Sequence, residues 1–137
     1  MSIGVLIISH DSLGQAMLDI SMKTLGACPL DVQVLGVPLD ADTETVIREA
    51  KITLSTLDSG DGVLILTDLC GSTPANIACR LAGSSAQDQR IMVVAGLNLS
   101  MLMRVFNYPE LRLIDIAERA VEGGRQGVLL MPGACEH

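Results

Sequence analysis

The sequence predicts a doubly wound α/β domain with a mainly parallel sheet in the order 2-1-3-4. Two observations carry that prediction. Short apolar runs rich in β-branched residues recur without polar alternation, the mark of strands buried on both faces. Between them lie segments with apolar residues at helical spacing, and strands alternating with helices build a parallel sheet covered on both sides. A chain of 137 residues suffices for one such domain, spanning 1–137, with a core of its own.

The first strand covers residues 3–8. Ser12, with Gln15 three residues on, reads as a capping box. It opens a helix populated by Ala16, Met17, Ile20, Met22 and Leu25 and ended by Gly26 and Pro29. Residues 32–37 form the second strand, closed by Pro38. Asp40 or Asp42 caps the second helix, in which Val46, Ile47, Ala50, Leu54 and Leu57 recur at helical spacing. The turn cluster Asp58-Ser59-Gly60-Asp61-Gly62 precedes a third strand over 63–66. Ser72 and Thr73 then offer a cap and Pro74 a first helical residue. The helix that follows, over 74–82, carries the small residues Ala75, Ala78 and Ala82, which allow close packing on a sheet. A fourth strand is expected over 91–95 and shorter helices near 99–106 and 109–121. Gly123-Gly124 is expected to break the chain before a last apolar run at 128–131.

Composition excludes several classes of function. The aromatics are Phe106 and Tyr108 alone, too few to stack on single-stranded nucleic acid. A formal charge of -7 repels phosphate backbones and anionic membrane surfaces in general, so no nucleic-acid partner is expected. The four cysteines, Cys28, Cys70, Cys79 and Cys135, form no C-x-x-C pair and read as small buried hydrophobes of a reducing compartment. Cys135 and His137 lack a second ligand pair at zinc-site spacing, so no metal is expected. The apolar start is too short for a membrane span and has no basic flank, which predicts a cytoplasmic protein.

Two stretches carry the chemistry. Open parallel sheets bind ligands beyond the carboxyl ends of their strands, where strand order reverses. In the order 2-1-3-4 that point lies between strands one and three. Ser9, His10 and Asp11 follow the first; Thr67, Asp68, Leu69, Cys70 and Gly71 follow the third. A carboxylate beside an imidazole accepts the proton of one ring nitrogen, fixes the tautomer and leaves the other nitrogen as a nucleophile. Gly71 lets backbone approach a ligand, the N–H groups opening the next helix are anion donors, and Ser72 and Thr73 add hydroxyls. Together these residues suggest phosphoryl transfer through a phosphohistidine. Taken singly, each also has an ordinary reading. A lone histidine after a strand is commonly inert, Asp68 could cap a turn, and Ser72-Thr73-Pro74 could be no more than a helix start.

At these residues the chain resembles the enzyme IIA component of the mannose-type family of the bacterial sugar phosphotransferase system. IISHDSLGQAML is similar to that family's phosphorylation site, LILTDLCGSTPANIACRLA to its second signature, and VVAGLNLSML to its third. The resemblance implies that His10 is phosphorylated on Nε2 by the phosphocarrier protein HPr and passes the group to a histidine of a IIB component. It implies that Asp68 holds the ring and that Ser72 lies in the segment facing the phosphoryl group. It implies no cofactor, and contact with the membrane only indirectly, through permease components. It also implies a homodimer in which residues 128–131 cross to the partner's sheet. Ser100 stands where many relatives have proline, and only residues 132–137 follow the last apolar run, so IIB is expected as a separate chain. Leu13, Leu69, Met101 and Met103 are candidates for an apolar collar around His10; each could instead be an ordinary core residue, which is the simpler reading of Met103.

Other readings share some of these features. The same histidine chemistry serves a regulatory phosphoprotein that signals by phosphorylation-dependent binding. A dihydroxyacetone-kinase phosphoryl donor on a related fold fits LCGSTPANIA less well. A nucleotide-binding domain would need a glycine pattern that follows no strand here.

Overall fold

The computed structural model describes residues 2–83 and 90–133; Cys135 and His137 lie outside them. Four strands, β1 (Gly4–His10), β2 (Asp31–Val37), β3 (Val63–Thr67) and β4 (Ile91–Ala95), form one sheet. Every pairing is parallel and the order is β2-β1-β3-β4, as the sequence predicts. The helices are α1 (Leu13–Leu25), α2 (Thr43–Leu57), α3 (Thr73–Gly83), α4 (Leu99–Phe106) and α5 (Leu113–Gln126).

Because successive side chains of a strand face opposite ways, the two central strands feed two cores. Val5, Ile7, Leu64 and Leu66 pack with α1, α4 and α5 through Leu18, Leu102, Val105 and Ile116. Leu6, Ile8, Val63 and Ile65 pack with α2 and α3 through Ala50, Leu54, Ile77 and Leu81. All five apolar positions expected on α2 are buried.

The first helix departs from its predicted face. Leu18 and Ser21 are buried, while Ala16 and Ile20 face solvent. Its capping box does not form. The Ser12 side chain caps nothing and Gln15 donates to Asp19 instead. The buried Ser9 hydroxyl accepts the Gly14 N–H at 2.8 Å, so the strand caps the helix that follows it. A Cβ at Gly14 would stand 2.6 Å from Ile7 Cγ2, which is why glycine occupies that place.

The two glycines expected to break the chain lie inside α5. A Cβ on Gly123 would sit 2.5 Å from the Arg104 Cβ, and one on Gly124 would sit 2.9 Å from the Met101 Cε. The pair therefore lets α5 lie close on α4, and this packing outweighs the roughly 1 kcal/mol that each glycine costs a helix interior. Residues 128–131 form no strand within the chain. Val128, Leu129, Leu130 and Met131 are 77%, 62%, 98% and 54% exposed. Two cysteines also depart from expectation. Cys70 lies exposed in the loop after β3 and Cys79 on the solvent side of α3; both are free thiols, as is the half-buried Cys28.

Candidate functional site: a histidine and an aspartate at the switch point

Strand β1 runs two residues further than its apolar stretch, so Ser9 and His10 are its last members. Ser9 is buried, and the ring of His10 emerges beyond the sheet with its side chain 37% exposed. Thr67 ends β3, and Asp68 follows it directly with a largely shielded side chain. Because β1 and β3 are neighbours, residues 58 positions apart in the chain meet.

The contact is specific. One carboxylate oxygen of Asp68, Oδ2, lies 2.8 Å from His10 Nδ1 and accepts the His10 backbone N–H at 3.0 Å. The other, Oδ1, accepts the Leu69 N–H at 3.0 Å. Burial pushes the Asp68 carboxyl up, but the bonds from the His10 backbone and ring, with the attraction of the ring's charge, outweigh it and hold the carboxyl below its ordinary 3.8. An ionised Asp68 accepts from Nδ1–H, which sets the tautomer and leaves Nε2 with its lone pair free.

Gly71, Ser72 and Thr73 lie between Asp68 and α3. Gly71 has φ +86°, a conformation that favours glycine, and nothing stands near where its Cβ would be. Ser72 turns inward on its own loop. Its hydroxyl donates to the Leu69 carbonyl at 2.6 Å, and its own carbonyl accepts the Asn76 N–H. Thr73 is exposed at the first position of α3. The Leu97 N–H, bonded to the Thr67 carbonyl at 3.0 Å, ties the loop after β4 to the end of β3. Asn98 caps α4 through the Met101 N–H and reaches the Gly124 carbonyl of α5.

Of the four collar candidates, Leu13 (43% exposed) and Leu69 (62%) are open to a partner. Met101 is buried in the core between sheet, α4 and α5, a correction to its expected place on the surface. Met103 is half-buried. The sequence reading placed Ser9 at the switch point without its anchoring role, and it missed Gly36. Ser9 anchors the chain just before His10 through the Gly14 N–H. Gly36, on β2, lies beneath the turn that follows His10. An isolated glycine inside a strand pattern signals close backbone approach, and Leu35-Gly36-Val37 carries that signal.

The architecture is that of solved phosphotransferase-system IIA proteins. It superposes on the mannose/sorbose-specific IIA subunit from Enterococcus faecalis with a TM-score of 0.83 and 22% identity, covering 100% of both chains. The same fold, at TM-score 0.76 and 18% identity over 92% of this chain and 93% of that one, occurs in a sigma-54 interaction domain protein from Enterococcus faecalis. The chain belongs to the EIIA-man family, described as PTS system fructose IIA component, whose sequence model matches residues 4–117. It is 29% identical over 130 residues to the PTS system mannose-specific EIIAB component of Escherichia coli K12. That match takes in 93% of this chain and 39% of the relative, so the chain spans about two fifths of that protein's length. Among the described residues no helix is long and apolar enough to cross a membrane.

Proposed function

We propose that the chain, as one IIA domain over 1–137, is a phosphoryl carrier that takes the group from phospho-HPr onto His10 and gives it to a IIB component during sugar uptake. The observation that carries this reading is the 2.8 Å contact between His10 Nδ1 and Asp68 Oδ2 at the strand-order reversal. Membership of the family supports it.

In the first step the nitrogen–phosphorus bond on the donor histidine breaks as His10 Nε2 forms its own bond to phosphorus. The donor ring leaves neutral and the His10 ring becomes cationic, with Nδ1–H still bonded to Asp68. The negative carboxylate stabilises that developing charge. In phosphoryl transfer the protein supplies mainly position and charge, so a fixed ring and a nearby row of donors suffice. Gly71 opens space for the phosphoryl oxygens, and Ser72 and Thr73 contribute hydroxyl donors. Ser72 does so by releasing the Leu69 carbonyl. The second step reverses the first toward a IIB histidine, and because Nε2 serves both partners, HPr and IIB use overlapping faces with Leu13 and Leu69 at their edge. The phosphoryl arrives on a histidine, so the relay calls on no metal or nucleotide, and all of its partners meet it in the cytoplasm.

The working form is a homodimer in which residues 128–131 pair with the partner's sheet. Among the described residues one edge of β4 is unpaired, and a groove of about 620 Å³ beside it is lined by Met92, Val94, Ala117, Val121 and Arg125. The exposed apolar side chains at 128–131 suit it.

A second reading is a regulatory phosphoprotein that signals by phosphorylation-dependent binding, and the likeness to the sigma-54 interaction domain protein favours keeping it. One experiment tests both. Incubated with phosphoenolpyruvate, enzyme I and HPr, the protein is expected to gain one acid-labile, base-stable phosphoryl group and to lose it when a IIB component is added. A stable label with no discharge to IIB would favour signalling. No label at all would remove both readings.

A further inference from the structure

We infer that Gly36 is a positioning residue for His10, acting through the turn at Asp11. The inference deepens the phosphoryl-carrier reading and rests on it for its functional consequence. Asp11 has φ +40° and is the non-glycine residue with positive φ among those described. A side chain in that region stores strain, which the surroundings must impose. The chain needs this bend because β1 ends at His10 and α1 begins at Leu13, leaving two residues to reverse direction.

Two contacts hold the bend. The Asp11 N–H donates to the Val37 carbonyl at 3.1 Å, one residue beyond the last rung of the β1–β2 pairing. Its carbonyl oxygen lies directly over Gly36, where any Cβ would collide with it. The obstruction is backbone, so no flexible side chain can swing away. Ser9 pairs with Gly36 and His10 with Val37, so the glycine lies level with the residue just before the ring.

The consequence reaches the ring because His10 meets Asp68 twice through one oxygen. Its backbone N–H and its Nδ1 share Oδ2. Displacing the Asp11 carbonyl moves the His10 backbone, and the ring cannot keep its bond while the backbone loses register with the same acceptor. Gly36 thus protects the tautomer that leaves Nε2 free, without touching the ring or its substrate.

The test is Gly36→Ala, read by nitrogen NMR of the His10 ring and by the rate of phosphorylation from phospho-HPr. The expected result is a folded protein in which the Nδ1–H form is depleted and the rate falls on the order of tenfold to a hundredfold. The double variant Gly36→Ala with Asp11→Gly frees the turn from its strained conformation and is expected to restore the Nδ1–H signal and most of the rate. A merely structural role for Gly36 would leave the tautomer unmoved. A folded Gly36→Ala protein with the wild-type ring signature overturns the inference. If the single variant does not fold, the double variant decides. Recovery of fold and ring signal supports the claim, and failure of both overturns it. Should the wild type itself take no phosphoryl group, the carrier reading falls, while the ring spectra still judge Gly36.

Discussion

Asp68→Asn is expected to leave a folded protein whose phosphorylation from phospho-HPr is slower on the order of a hundredfold. The reason lies in donor counting. Asp68 accepts on both oxygens, from the His10 backbone and ring on Oδ2 and from the Leu69 N–H on Oδ1. An asparagine offers one acceptor oxygen and one NH₂ group, so a donor must face a donor on one of the two sides. Either the ring loses its anchor or the loop before α3 loses its own. In the proposed relay the substitution would also remove the negative charge that stabilises a cationic phosphohistidine.

The same residue gives a signed pH effect. Its native carboxyl sits below 3.8, so stability from it is complete above that value and is lost as pH falls through the lower native value. Asp68→Asn is expected to be less stable than wild type near neutral pH and to lose less on acidification. Urea midpoints measured from neutral pH to pH 3 check this. A rate equal to wild type together with parallel stability curves would deny Asp68 both roles.

The second large effect concerns residues 128–131. Replacing Leu129 and Leu130 together by aspartate is expected to convert a dimer to monomer and to raise its dissociation constant at least about a hundredfold, some 2.8 kcal/mol. Within one chain these residues are 62% and 98% exposed, so two surface charges there would change folding by no more than about 0.5 kcal/mol each. Paired with a partner's sheet the situation reverses. Adjacent strand residues point to opposite faces, so one of the two aspartates must enter the covered side whichever register is taken. An unpaired carboxylate there costs several kcal/mol or forces the strand out. Sedimentation of both proteins measures the outcome. A wild type that sediments as a single chain, or a variant that dimerises equally well, would dismiss the exchange.

Much of the fold follows from local pattern. The buried runs of β1 and β3 and the helical spacing of Val46, Ile47, Ala50, Leu54 and Leu57 locate elements without tertiary information. The chain's alternation of strand and helix then leaves few topologies, and the order β2-β1-β3-β4 brings His10 to Asp68. What escapes is what depends on a distant contact. Gly123 and Gly124 look like a stop in sequence but are clearance for Arg104 and Met101, residues some twenty positions earlier. Ser12 and Gln15 match a capping box, yet Ser9 already supplies the acceptor, because the turn at Asp11 swings the Gly14 N–H over it. Met101 carries no local sign that α5 will cover it. Gly36 is an isolated strand glycine, but nothing local shows that its neighbour is the Asp11 carbonyl in the turn after β1.

The central claim is that one nitrogen of one histidine carries the phosphoryl group while an aspartate holds the other. Combined phosphorus and nitrogen NMR of the protein phosphorylated by HPr tests it most directly. The expected spectrum places phosphorus on Nε2 of His10, with Nδ1 still protonated. Phosphorus on Nδ1, or on the hydroxyl of Ser72 or Thr73, would contradict the account.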